Sequence, residues 1–72
     1  MDNHEYDIIL IPQPEGGYVV SVPELPSVAT EGETVEEAMA MAKDAIEGYL
    51  ATMRAEGWEL PAVRHERVAV SV

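Results

Sequence analysis

The stretch TVEEAMAMAKDAIEGYLATMRAEG, residues Thr34 to Gly57, carries a full set of helix signals and orders everything around it. Thr34, followed three residues later by Glu37, predicts a capping box, in which each side chain satisfies an otherwise orphaned N–H of the first turn. Glu36 and Glu37 also suit the positive end of the helix dipole. Val35, Ala38, Met39, Ala42, Ile46, Tyr49, Leu50 and Met53 then recur at three- and four-residue intervals, a stripe that predicts packing on a sheet. Gly57 suits the left-handed position after the last turn and Pro61 blocks continuation, so the helix is expected to end close to Glu56. Met39 and Met53 belong to the stripe and are read as core, in preference to an adaptable recognition surface that would also include Met41. Gly48, inside the helix, costs about 1 kcal/mol relative to alanine and is read as a point of close packing against a neighbour.

Upstream of the helix the periodicity changes from three or four to two. Tyr6 to Pro12 (YDIILIP) is rich in β-branched and aliphatic residues and predicts a first strand. Pro14-Glu15-Gly16-Gly17 predicts a tight turn, because glycine takes positive φ without a Cβ clash. Tyr18 to Val22 (YVVSV) follows as an antiparallel second strand, with Tyr18, Val20 and Val22 on one face. Pro23 and Pro26 interrupt any ladder, since neither can donate a backbone hydrogen bond, so Pro23–Pro26 is read as a loop or an edge. Ser27 to Thr30 predicts a short third strand, and Glu31-Gly32-Glu33 a turn into the helix. Downstream, Arg64 to Val72 alternates again, with Val68, Val70 and Val72 on one face, and predicts a fourth strand. The expected fold class is α+β, in the order β-β-β-α-β, with one helix packed on one face of an antiparallel-rich sheet. The other face, with Ile9, Ile11 and Val19, then needs cover from another molecule, and association into a homodimer or higher homo-oligomer is expected.

Composition narrows the function. At 72 residues the chain is expected to form a single domain spanning 1–72. It has no cysteine, which excludes disulfides and thiolate chemistry and makes cytoplasmic localisation the default. Met1 to Tyr6 lacks the basic flank and apolar run of a signal peptide, and the longest apolar stretches fall far short of the roughly 20 residues that cross a bilayer. Fourteen acidic residues against four basic ones (Lys43, Arg54, Arg64 and Arg67) give a net charge of −10 and a pI near 4.3. That field repels nucleic acid, whose binding depends on cationic side chains neutralising phosphates. It would steer a basic protein toward this surface.

Catalytic and metal-binding arrangements are poorly supported. His4 and His65 lack paired ligand spacing, and no metal or cofactor is expected. Asp7 with Glu31, Glu33, Glu36 and Glu37 could be weighed as a Mg²⁺-holding nuclease set, but capping and the helix dipole already explain the acids at the helix start. Gly16-Gly17 opens a strand and so does not form a phosphate cradle. No catalytic serine, histidine and acid motif is present, and the chain is read as non-enzymatic. Trp58, just beyond the helix, is either an interface anchor or a cap over the end of the core.

Glu15-Gly16-Gly17-Tyr18, Val22-Pro23-Glu24-Leu25-Pro26, Thr30-Glu31-Gly32-Glu33-Thr34, Glu36-Glu37-Ala38 and Ala45-Ile46, in this order and spacing, resemble the HicB family of bacterial antitoxins. Ser27 departs from the family pattern, which usually has glycine after Leu-Pro. The resemblance implies a partial ribonuclease-H-like fold without that enzyme's carboxylate set. It also implies an antitoxin of a type II toxin–antitoxin pair, blocking a small basic mRNA-cleaving toxin of the HicA type. Family members commonly carry a C-terminal DNA-binding segment; this sequence shows none, and operator binding is not expected of it. Candidate partner contacts are Glu15, Glu24, Glu31, Glu33 and Trp58. The competing reading is a stand-alone oligomeric module that binds another protein or a small ligand.

Overall fold

The computed structural model describes residues 5–60, 62–64 and 66–71. Three antiparallel strands precede one long helix: β1 (Ile9–Pro12), β2 (Tyr18–Ser21), β3 (Ala29–Gly32) and α1 (Val35–Glu56). The sheet order is β1-β2-β3, with Leu10 opposite Val20 and Val20 opposite Thr30 across the two ladders. The fold is α+β, as the change of periodicity predicts.

The helix begins and ends where its signals place it. Thr34 Oγ1 accepts from the Glu37 N–H at 3.1 Å. The reciprocal half of the expected box is displaced by one residue: the Glu37 carboxylate accepts from the backbone N–H of Glu33, not from that of Thr34. At the other end Gly57 takes φ 71°, and the N–H groups of Gly57 and Trp58 donate to the carbonyls of Arg54 and Met53. These two bonds satisfy carbonyls that the last turn leaves open.

Val20, fully buried, meets Ala38 and Ala42 under the helix, with Ile8, Leu10 and Tyr18 packed around them. The small side chains at 38 and 42 let the helix approach closely. Gly32 completes that approach: a Cβ there would fall 2.5 Å from the backbone nitrogen of Ala38. Ile9 and Ile11 point the other way and are about half exposed, at 50% and 44%.

A helix of 22 residues is about 33 Å long, whereas a four-residue strand covers only roughly 13 Å. The sheet therefore cannot cover the whole helix. The remainder is covered by the segment read from sequence as a proline-interrupted loop. Leu25 is 1% exposed and, with Val22 and Val28, packs against Ala45, Ile46, Tyr49 and Leu50. Two successive turns fold it inward, with the Leu25 N–H donating to Val22 and the Val28 N–H to Leu25. Because Val28 is used there, β3 starts two residues later than the sequence predicts and runs through Gly32, which pairs with Tyr18.

Three expectations are corrected. Val35 and Met39 are 44% and 51% exposed. The helix sits chiefly over β3 and β2, which leaves that flank of the stripe without a strand beneath it, whereas Met53 is buried as expected. Gly48 has open space where a Cβ would stand, so close packing does not account for it, and nothing else in the structure does. The fourth strand is not formed: residues 64 and 66–71 take no regular structure, and Val68 and Val70 are 81% and 76% exposed. An alternating segment becomes a strand only when a neighbouring edge takes its backbone hydrogen bonds, and within this chain none does so among the described residues. His4, His65 and Val72 lie outside the described residues.

Candidate functional site

The β1–β2 hairpin, the end of β3 and the first turns of the helix converge on a groove of about 350 Å³ lined by Glu15, Tyr18, Glu31, Glu33, Glu37 and Met41. Each wall has a local cause. The hairpin closes with the Gly16 N–H donating to Gln13 and the Gln13 N–H to Gly17, both at 3.0 Å, while Gly16 and Gly17 take φ 105° and 79°. That tight reversal places Glu15 at the tip. Gly17 lies against the neighbouring strand, and a Cβ on it would stand 3.1 Å from the Gly32 carbonyl oxygen. The Tyr18 to Gly32 pairing then sets Glu31 and Glu33 beside the hairpin. The helix start adds Glu37, whose carboxylate is already tied to the backbone at Glu33.

Three of the five residues predicted as partner contacts, Glu15, Glu31 and Glu33, therefore share one groove. The other two stand apart from it. Glu24 lines a second depression of about 250 Å³ with Tyr6, Leu25, Leu60, Ala62 and Val63. Trp58 is 58% exposed at the helix end, so it does not cap the core and its ring is open to a partner. Sequence reasoning grouped Glu37 with Glu31 and Glu33 but assigned it to capping, and it did not place Met41 in the groove.

The groove is open to solvent and its four carboxylates are exposed. They act as a patch of summed negative potential that favours lysine and arginine side chains of an approaching surface. Among the described residues, no three histidine, cysteine, aspartate or glutamate side chains are grouped to hold a metal ion. No buried polar side-chain atom there lacks a partner, and no buried acid or base marks a catalytic centre. No helix among the described residues is long and apolar enough to cross a membrane.

Comparison with known proteins adds an independent line. A family model described as HicB_like antitoxin of bacterial toxin-antitoxin system matches residues 6–70. The protein named Antitoxin HicB of Escherichia coli K12 is 56% identical over 41 residues, covering 57% of this chain and 30% of that protein. Antitoxin HicB 1 of Photorhabdus laumondii is 50% identical over 44 residues, or 61% of this chain and 28% of its own length. The chain thus matches under a third of these antitoxins. UPF0150 protein Ta0767 of Thermoplasma acidophilum differs in extent: it is 33% identical over 66 residues, covering 92% of this chain and 96% of that protein.

Proposed function

The chain belongs to the HicB-like antitoxin family, and on that premise we propose that it binds and neutralises a small, basic, mRNA-cleaving toxin of the HicA type in the cytoplasm, as a non-enzymatic antitoxin. The observation that carries this reading is the convergence of Glu15, Glu31 and Glu33 on one acidic groove in a chain of net charge −10. A protein that cleaves RNA must present cations to phosphates. Carboxylates laid across those cations compete with the RNA directly, and the field of the whole chain speeds the encounter. The same field argues against direct nucleic-acid binding by these residues. Glu15, Glu31 and Glu33 are the principal contacts in this reading; Glu24 and Trp58, outside the groove, contribute at its periphery.

Calorimetric titration of a HicA-type toxin with the wild-type chain and with an E15K/E31K/E33K variant tests it. The triple variant is expected to bind on the order of 100-fold more weakly and to stop protecting RNA from cleavage, because each reversal opposes a partner cation instead of pairing with it. Unchanged affinity in a variant with an unaltered circular dichroism spectrum would sink the groove as the binding surface.

A second reading has its own support. The similarity to Ta0767 extends over nearly the full length of that protein, which favours a stand-alone module of about this size that binds another protein or a small ligand. Under either reading the exposed apolar side chains Ile9, Ile11, Val68 and Val70 support self-association to at least a dimer. A monomeric mass by light scattering at micromolar concentration would count against that.

A further inference from the structure

The segment Glu66–Ser71 keeps the alternation of a strand, yet it lies outside the sheet and exposes Val68 and Val70. At the same time β1 is an edge strand, with backbone groups on its outer side that no other strand meets among the described residues. A free strand and a free edge in one molecule are complementary. We propose that residues 66–71 of one copy pair along the outer edge of β1 in a second copy, and reciprocally, so that a strand-exchanged dimer completes both sheets. The proposal rests on the self-association reading above and names the element responsible for it.

The β1 edge fits this occupant better than the β3 edge. β1 is aliphatic on both faces from Ile8 to Ile11, and its only proline is the terminal Pro12, so the edge before it can donate and accept. The β3 edge leads into the acidic groove at Glu31 and Glu33. Apolar cover is also missing on the β1 side. Val35 and Met39 lie on the helix flank opposite Met41, which lines that groove, and both are exposed. Valines arriving beside β1 would meet this flank and the half-buried Leu10.

Charge and shape point to a second copy as the donor. Arg64 and Arg67, two of the chain's four basic residues, flank the segment, while Glu5 and Asp7 stand exposed just ahead of β1. The Arg64–Glu66 ion pair, at 2.7 Å, is local and leaves Arg67 available. The radius of gyration is 14.3 Å, against about 11 Å for a compact domain of this length, in keeping with a segment whose Val68 and Val70 are exposed. Reciprocal donation about a two-fold axis brings it down on a partner and leaves no strand over.

The chain has no cysteine, so a nitroxide can be attached at one introduced site. Unlabelled Ser71→Cys protein carrying the nitroxide is mixed with ¹⁵N-labelled wild-type chain, and relaxation of the labelled β1 amides is read by NMR. Broadening of the Ile9 to Ile11 amides is expected, since only a nitroxide from another copy can reach them. Ala69→Pro, placed in an exposed segment that the monomer does not need for folding, should abolish the broadening and weaken self-association on the order of 100-fold. Glu47→Gln, at an exposed position on the helix, should preserve both. A dimer with unbroadened β1 amides, or one that survives Ala69→Pro, overturns the strand exchange while leaving self-association intact. A monomeric wild type overturns both.

Discussion

Val20-Ser21 and Val70-Ser71 are the same dipeptide, each set in an alternating, valine-rich run. The first is the middle of a three-stranded sheet, with Val20 fully buried; the second belongs to no element, and its valine is 76% exposed. What differs is the supply of neighbours. β2 has a glycine turn delivering β1 on one side, and β3 on the other, and Ala38 and Ala42 wait above it. The run after the helix has a pattern, but among the described residues no strand of its own chain pairs with it. Alternation is therefore a statement of readiness, and pairing is a property of the surroundings.

Substitution has its largest expected effect at the buried valine. Val20→Ser leaves a cavity and a hydroxyl without a planned partner beneath the helix, and should cost about 3 kcal/mol in urea denaturation. For a chain of this size that is a large part of a total stability of roughly 4–10 kcal/mol. Gly32→Ala attacks the same junction from the neighbouring strand: its methyl would meet the Ala38 backbone, and a loss of about 2 kcal/mol is expected by the same measurement. Gly48→Ala should act in the opposite direction. The site is exposed, helical and free of neighbours, so a gain of about 1 kcal/mol is expected as a rise in melting temperature. The smallest effect is expected at the exposed copy of the dipeptide. At dilutions where the chain is monomeric, Val70→Ser should change stability by less than about 0.5 kcal/mol, and a larger loss would mean that the segment docks on its own body.

The candidate contact residues divide along the same line. Glu31 and Glu33 could be paired from sequence, because a short turn into a capped helix holds them together. Glu15 joins them only because the β1–β2 turn and the Tyr18 to Gly32 register bring the hairpin tip to the helix start. Glu24 carries the same charge but is drawn to another depression by the inward fold of Leu25. Acidity alone could not separate these two cases.

By itself the sequence determined the helix, its two caps, the glycine hairpin and which faces of β1 and β2 turn toward the helix. All of these depend on residues within a few positions of one another or on a period of two. Packing of the elements then made Leu25 core and kept Met39 out of it, brought three of the acids into one groove, and left residues 66–71 unpaired within their own chain. The burial of Leu25 turns on how far a 22-residue helix overhangs four-residue strands, and the other outcomes on which element lies beside each residue; neither exists until the elements are packed together.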